Sequence, residues 1–317
     1  MSHEIESCAY AGEVPWHLLG KRVPNELSPE QMLEAAELNW TVEKVKSYAN
    51  IQKNGCEQPV YTGKDALVRS SDGKILDVVS KDWNPVQNIE AFRFFDDFVH
   101  SGDMQMHTAG SLKGGQIVWA LAKVNDSFDL FGGDKVDSYL LFSNPHKFGQ
   151  TIDVRFTPIR VVCWNTLTLS LNRHAESMVK LNHRRKFDPD RVKEMLGIAH
   201  DKLMKYREMA KFLGETKYTV SSVHEYFGKV FPVATSLTES KKKESKSAEE
   251  AFGLLETQPG ANFAEGSWWS AFNSVGYLID HKIGRTADNR LSSSWFGVNR
   301  SLKTEALKLA VEYATAS

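Results

Sequence analysis

The sequence predicts an α+β protein: a central antiparallel β-meander followed by a helix, with a helical C-terminal region. Three observations predict it. Residues 104–112, 116–124, 136–143 and 150–156 are four strand-like segments joined by Lys113-Gly114-Gly115, Gly132-Gly133 and Asn144-Pro145-His146. Beyond residue 188 the apolar residues recur at helical spacing. Strand signals cluster before the helices instead of alternating with them, which separates α+β from α/β.

In chain order, Ser28-Pro29-Glu30-Gln31 predicts a helix start: Ser as N-cap, Pro at the first position and Gln closing a capping box. Met32, Leu33, Ala36 and Leu38 give that helix its apolar face. Segments 41–49, 58–62, 65–70 and 75–80 are strand-like, with Ser71-Asp72-Gly73 as a turn. Residues 88–100 predict a helix with Ile89, Phe92, Phe95 and Val99 on one face. Within 116–124, Ile117, Trp119, Leu121 and Lys123 oppose Val118, Ala120 and Ala122, so both faces are apolar. The run after Thr157-Pro158 fits a buried strand or a helix; the length and the Thr-Pro start favour a helix over 157–172. Asp188 and Pro189 open a long helix to about 213. Further helices are expected at about 219–231, 266–282 and 298–314. The segment 238–250, TESKKKESKSAEE, predicts a linker or mobile loop. It would divide a core domain, 1–237, from a helical region, 251–317, that packs on the core.

Composition bounds the function. Apolar residues are 41% and charged residues 25%, as in globular proteins, and 317 residues can bury a large core. Three cysteines, Cys8, Cys56 and Cys163, exclude a disulfide scaffold, and no spacing suits a zinc site. With no secretory leader and no apolar run long enough to span a bilayer, the expected location is cytoplasmic, with no membrane partner. No P-loop, GxSxG, HExxH or dinucleotide fingerprint is present. Gly110–Gly115 (GSLKGG) lacks the GK[ST] ending and reads as a hairpin turn.

The net charge of −1 is unevenly spread. Residues 1–110 sum to −7, 111–172 to +1, 173–218 to +5 and 219–317 to 0. Binding single-stranded DNA without sequence preference needs cations along the phosphates and flat side chains for the bases. Residues 146–186 supply Lys147, Arg155, Arg160, Arg173, Arg184, Arg185 and Lys186, with Phe148, Trp164 and His146 as stacking candidates. Lys113 could reach a backbone from its hairpin. The competing reading pairs Arg155 and Arg160 with carboxylates such as Asp153 and puts Trp164 in the core. Three sites for chemistry are weaker. Asp280 and His281 are adjacent, so they are poorly placed to bond each other, and His281 and Lys282 suit a helix C-terminus. His107, His146 and Cys163 have no spacing that makes them meet, and Cys163 sits in an apolar run. Asp126, Asp129, Asp134 and Asp137 fall in a Gly-rich stretch that reads as a solvated loop. No catalytic residue, metal or cofactor is therefore assigned.

Several segments resemble the phage/plasmid-like family described as domain of unknown function 932. They are Pro15-Trp16-His17-Leu18-Leu19-Gly20, Val86-Gln87-Asn88, His107-Thr108-Ala109-Gly110-Ser111-Leu112 with Gly114-Gly115, and Val118-Trp119-Ala120-Leu121-Ala122. Tyr139-Leu140-Leu141, Asn144-Pro145-His146, the block Phe156-Thr157-Pro158-Ile159-Arg160-Val161-Val162-Cys163-Trp164-Asn165-Thr166-Leu167, Trp268 through Asp280-His281, and Phe296-Gly297 follow. Trp164 departs from the Asn expected there. The resemblance implies a phage or plasmid origin and a remote relation to single-strand annealing proteins, which share a sheet-then-helix core and form rings or filaments. The expectation is a non-enzymatic homo-oligomer that binds single-stranded DNA and anneals strands in recombination or replication. An accessory protein that binds a host protein and a metal-dependent nuclease are the alternatives.

Overall fold

A computed structural model describes residues 5–12, 20–125, 127–160, 165–166, 178–232, 245–284, 286, 290, 293–295 and 297–317. It is an α+β protein. The main sheet has nine strands: β1 (Ile5–Ala11), β2 (Lys21–Val23), β6 (Met104–Leu112), β7 (Ile117–Val124), β8 (Phe128–Leu130), β9 (Asp134–Pro145), β10 (Ile152–Arg160), β11 (Asn165–Thr166) and β12 (Met178–Leu181). Its order is β11-β10-β9-β7-β6-β1-β2, with β12 also on β10 and β8 on β9. The predicted meander is β6-β7-β9-β10, antiparallel throughout. A second sheet joins β3 (Val42–Lys53), β4 (Cys56–Arg69) and β5 (Ile75–Ser80).

Alternation along β7 places its two sets on two cores. Val118, Ala120 and Ala122 face Leu140, Phe142, Val154 and the aromatics Phe92, Phe94 and Phe95. Trp119 and Leu121 face Tyr139, Leu141, Ile159 and Trp295. Each fully buried large apolar side chain contributes about 1.5–3 kcal/mol, so both faces are held apolar. The first core is roofed by α1 (Pro29–Ala35), α2 (Asn88–Arg93) and α3 (Asp96–His100). Ser28 and Gln31 form the capping box the sequence predicts. The expected 88–100 helix is two helices, broken at Phe94 and Phe95, which are both buried.

The C-terminal helices are α4 (Pro189–Glu215), α5 (Val220–Val230), α6 (Lys246–Gly253), α7 (Trp268–Tyr277) and α8 (Val298–Ala316), with a π-helical turn Leu278–Lys282 after α7. They share a core with Phe128, Leu130 and Val136 of the sheet. Among the described residues, no helix is long and apolar enough to cross a membrane.

Four expectations need correction. Thr157-Pro158 starts no helix: β10 runs on, pairing Thr157 with Tyr139 and Pro158 with Ser138. Proline fits because, among the described residues, β12 covers only 152–155 and β11 only 159–160, so no strand is paired to that side of β10 at Pro158. Residues 58–62 and 65–70 form one strand, β4, paired to β3 through an Asn54-Gly55 turn in which both residues have positive φ. Residues 246–250 of the proposed linker begin α6, capped by Ser245 and anchored by buried Ala248; 238–244 lie outside the described residues. The stretch 128–137 is the β8–β9 hairpin, not a solvated loop: Asp134 is buried and accepts from Trp269 Nε1 at 3.0 Å. Asp137 is buried against Lys123 (2.5 Å) and Lys135 (3.3 Å), while Asp129 is exposed. Asp126 lies outside the described residues.

Candidate nucleic-acid interface

Strand register brings the predicted cations to one end of the main sheet. Leu112 pairs with Ile117, Ile117 with Pro145, and Ile152 with Leu181. The β6–β7 turn, the 146–151 loop and the 182–187 turn therefore leave the sheet side by side. Lys113 is on the first, Lys147 and Phe148 on the second, and Arg184, Arg185 and Lys186 on the third. All are exposed except half-buried Lys147, and Phe148 is 63% exposed.

The 70–76 segment packs beneath them. Lys113, Gly114 and Gly115 all have positive φ, so the GSLKGG segment is a tight turn. A Cβ on Gly114 would collide with Lys74 Nζ, and one on Gly115 would lie 2.8 Å from Arg69 Nη1. Gln116 Nε2 donates to the Leu76 carbonyl at 2.6 Å, and Phe148 N to Asp77 Oδ2 at 2.8 Å. Lys74 thereby joins the cluster. Sequence reasoning missed it, because nothing in the local pattern places the 71–74 turn against residue 114.

Carboxylates at this end are already engaged. Arg69 donates to Asp72 (2.9 and 2.6 Å) and Glu6 (2.7 and 2.9 Å). Those bonds raise the Arg69 pKa and hold Asp72 well below the usual carboxylate range. Asp188 caps α4 by accepting from Arg191 N. Among the described residues, no ion pair within 4 Å holds Lys74, Lys113, Lys147, Arg184, Arg185 or Lys186.

A buried polar layer fixes the loops from below. His146 is fully buried; its N donates to the Gln116 carbonyl at 2.7 Å, and its Nε2 meets Asn88 Oδ1 at 2.9 Å. His183 stacks on Trp83 at 4.0 Å, and its Nδ1 meets the Asn84 carbonyl at 3.1 Å. His146 is thus a support and not a surface stacking partner. Burial pushes its pKa down to about 3, with His183 adding to the shift. Burial also pushes His183 to about 4, against the opposing Asn84 bond. His107 is held near 4 by burial and Lys123, against Asp137. All three are neutral when folded, whereas the unfolded histidine titrates near 6.5. Their stabilisation is complete above about 6.5 and is lost as pH falls toward 4. Unfolding free energies from urea titrations are expected to drop between pH 7 and pH 5, by about 2 kcal/mol per histidine. His146→Gln should flatten that pH dependence.

The other candidates lie elsewhere. Arg155 is buried and bonded to Asp153 Oδ2 (2.9 Å) and the Trp295 carbonyl (2.5 Å), so it does not join the exposed cations. It belongs to an internal charged cluster with Arg300, Lys303 and Asp280. Lys303 Nζ lies 2.8 Å from Asp280 Oδ1, which also accepts from Ser294 at 2.6 Å. Desolvation lowers the Lys303 and Arg155 pKa values, and Arg300 is pushed down to about 10. Arg160 is placed in β10, but its side chain, like Trp164 and Arg173, lies outside the described residues.

His107 lines a separate cavity of about 210 Å³ with Lys123, Lys135, Asp137 and Tyr139. The seven residue steps from Tyr139 on β9 to His146 just past its end span roughly 23 Å, so His107 and His146 do not meet. Cys163 lies outside the described residues, and burial pushes the Cys8 thiol to about 12. Among the described residues, no group of three or more His, Cys, Asp or Glu could hold a metal.

Fold and site together define an α+β protein with a basic, aromatic-tipped sheet end. The chain belongs to the family described as "domain of unknown function (DUF932)", whose model matches residues 75–295. No curated protein and no solved structure matches it.

Proposed function

We propose that this chain binds single-stranded DNA at the sheet end built by residues 113–116, 146–151 and 182–187, and promotes annealing. The setting is phage or plasmid recombination or replication, in the cytoplasm of the host cell. The protein acts as a homo-oligomer and catalyses no covalent step. The observation that carries the reading is the convergence of six cations and exposed Phe148 from separate parts of the chain. Lysine and arginine heads hold phosphates without reading bases, and one exposed ring gives a base a stacking surface. A backbone held this way leaves base edges open to a complementary strand. The surface is narrow, which fits a chain whose net charge is −1.

Fluorescence anisotropy with labelled oligo-dT tests this across about 50–200 mM salt. Six phosphate contacts predict a slope of log affinity against log salt of about −4. Absence of binding at low salt, or a slope near zero, contradicts the reading and favours a protein partner instead.

A further inference from the structure

The distal part of the β3–β4 ribbon has no covering layer among the described residues. Residues 48–64 are exposed throughout, including Tyr48 (55%), Ile51 (44%) and Val60 (44%). A bare two-stranded ribbon is marginal in water. The ribbon tip, Asn54-Gly55, and the 70–74 turn lie at opposite ends of β4, so this surface is separate from the basic one.

The two ribbon edges differ. The outer edge of β4 carries Pro59, which has no N–H, and a bulge around Thr62–Lys64 with Gly63 at positive φ. Both features blunt an edge. β3 holds twelve residues with neither proline nor glycine. Its backbone directions follow from both ends. At the base, Val42 N and O bond the Gln87 side chain, so Val42 points outward. At the tip, the two-residue turn makes Lys53 and Cys56 an inward, hydrogen-bonded pair. Even-numbered residues from Lys44 to Gln52 therefore turn N–H and C=O away from β4, where no strand pairs with them among the described residues.

We infer that β3 pairs antiparallel with β3 of a second copy across a two-fold axis at Tyr48, giving a continuous six-stranded sheet. Outward residues must oppose outward residues, which restricts the registers. Centring on Tyr48 opposes Lys44 to Gln52, Lys46 to Asn50 and Tyr48 to itself. The closer, non-hydrogen-bonded positions then match Glu43 with Lys53 and Val45 with Ile51. Charge and apolar character both complement in that register. It yields about ten backbone hydrogen bonds, the number found in a typical stable interface. The contact is isologous and closes as a dimer. It does not rest on the DNA reading.

Sedimentation of the full chain without nucleic acid is expected to show a dimer. Glu43→Lys should weaken it about tenfold, since each dimer loses two opposite-charge pairs and gains two like-charge ones. Glu43→Lys with Lys53→Glu should restore it. In a Cys56→Ser background, Tyr48→Cys should crosslink across the axis on mild oxidation. Gln52→Cys should not, because its two copies would lie roughly 26 Å apart. A monomer at every concentration overturns the inference. So does a dimer that neither crosslinks at 48 nor responds to Glu43→Lys.

Discussion

Replacing Arg184, Arg185 and Lys186 with alanine is expected to weaken binding to single-stranded DNA by about 30- to 100-fold near 0.1 M salt. The three side chains are exposed on one turn and hold no ion pair among the described residues, so their removal leaves the fold intact. The salt slope should flatten by about 2, because each lost phosphate contact releases fewer counterions. Anisotropy titrations of the variant and the parent chain at several salt concentrations read both numbers. Equal affinity and equal slope would move the interface away from 182–187. Circular dichroism and melting of the variant separate a lost contact from a lost fold.

Asp280→Ala is expected to lower stability by about 3–5 kcal/mol, the cost of leaving a buried charge unpaired. Asp280 and Lys303 are almost fully buried, and Ser294 adds its hydroxyl to the same carboxylate. The pair fastens the turn after α7 to α8, and Arg155 and Arg300 of the same cluster reach Asp153 on the sheet. Removal leaves the Lys303 ammonium in a low-dielectric site already crowded by Arg155 and Arg300. Asp280→Leu combined with Lys303→Met removes both charges and should recover most of the loss. Urea unfolding of the single and double variants checks this. A single variant within about 1 kcal/mol of the parent would show that the pair contributes little.

Legibility in the sequence followed range. The Ser28–Gln31 capping box, the Asp188 cap and the strands 104–112 and 116–124 depend on neighbours a few residues away, and the pattern carries them. Thr157-Pro158 misleads because proline after a small polar residue suits a helix start and an open-sided strand alike. The missing information is which stretches of β10 its neighbours cover. Asp134 and Asp137 look solvated beside glycines, yet Trp269 and Lys123 arrive from other segments to hold them, with Lys135 of the same strand beside Asp137. The same holds for the candidate interface. The run 184–186 and Lys113 were visible as charge, but their convergence with Lys74 is set by strand register. For Arg155 the competing reading, a pair with Asp153, is the one the structure bears out, and the distant Trp295 carbonyl completes its removal from the surface.

Photo-crosslinking of bromodeoxyuridine-substituted single-stranded DNA, followed by peptide mapping, tests the central claim most directly. The predicted adducts fall on Phe148 and on the peptides containing 113–116 and 182–187, and disappear as salt rises. Adducts confined to α5–α8, or to the β3–β4 ribbon, would contradict it.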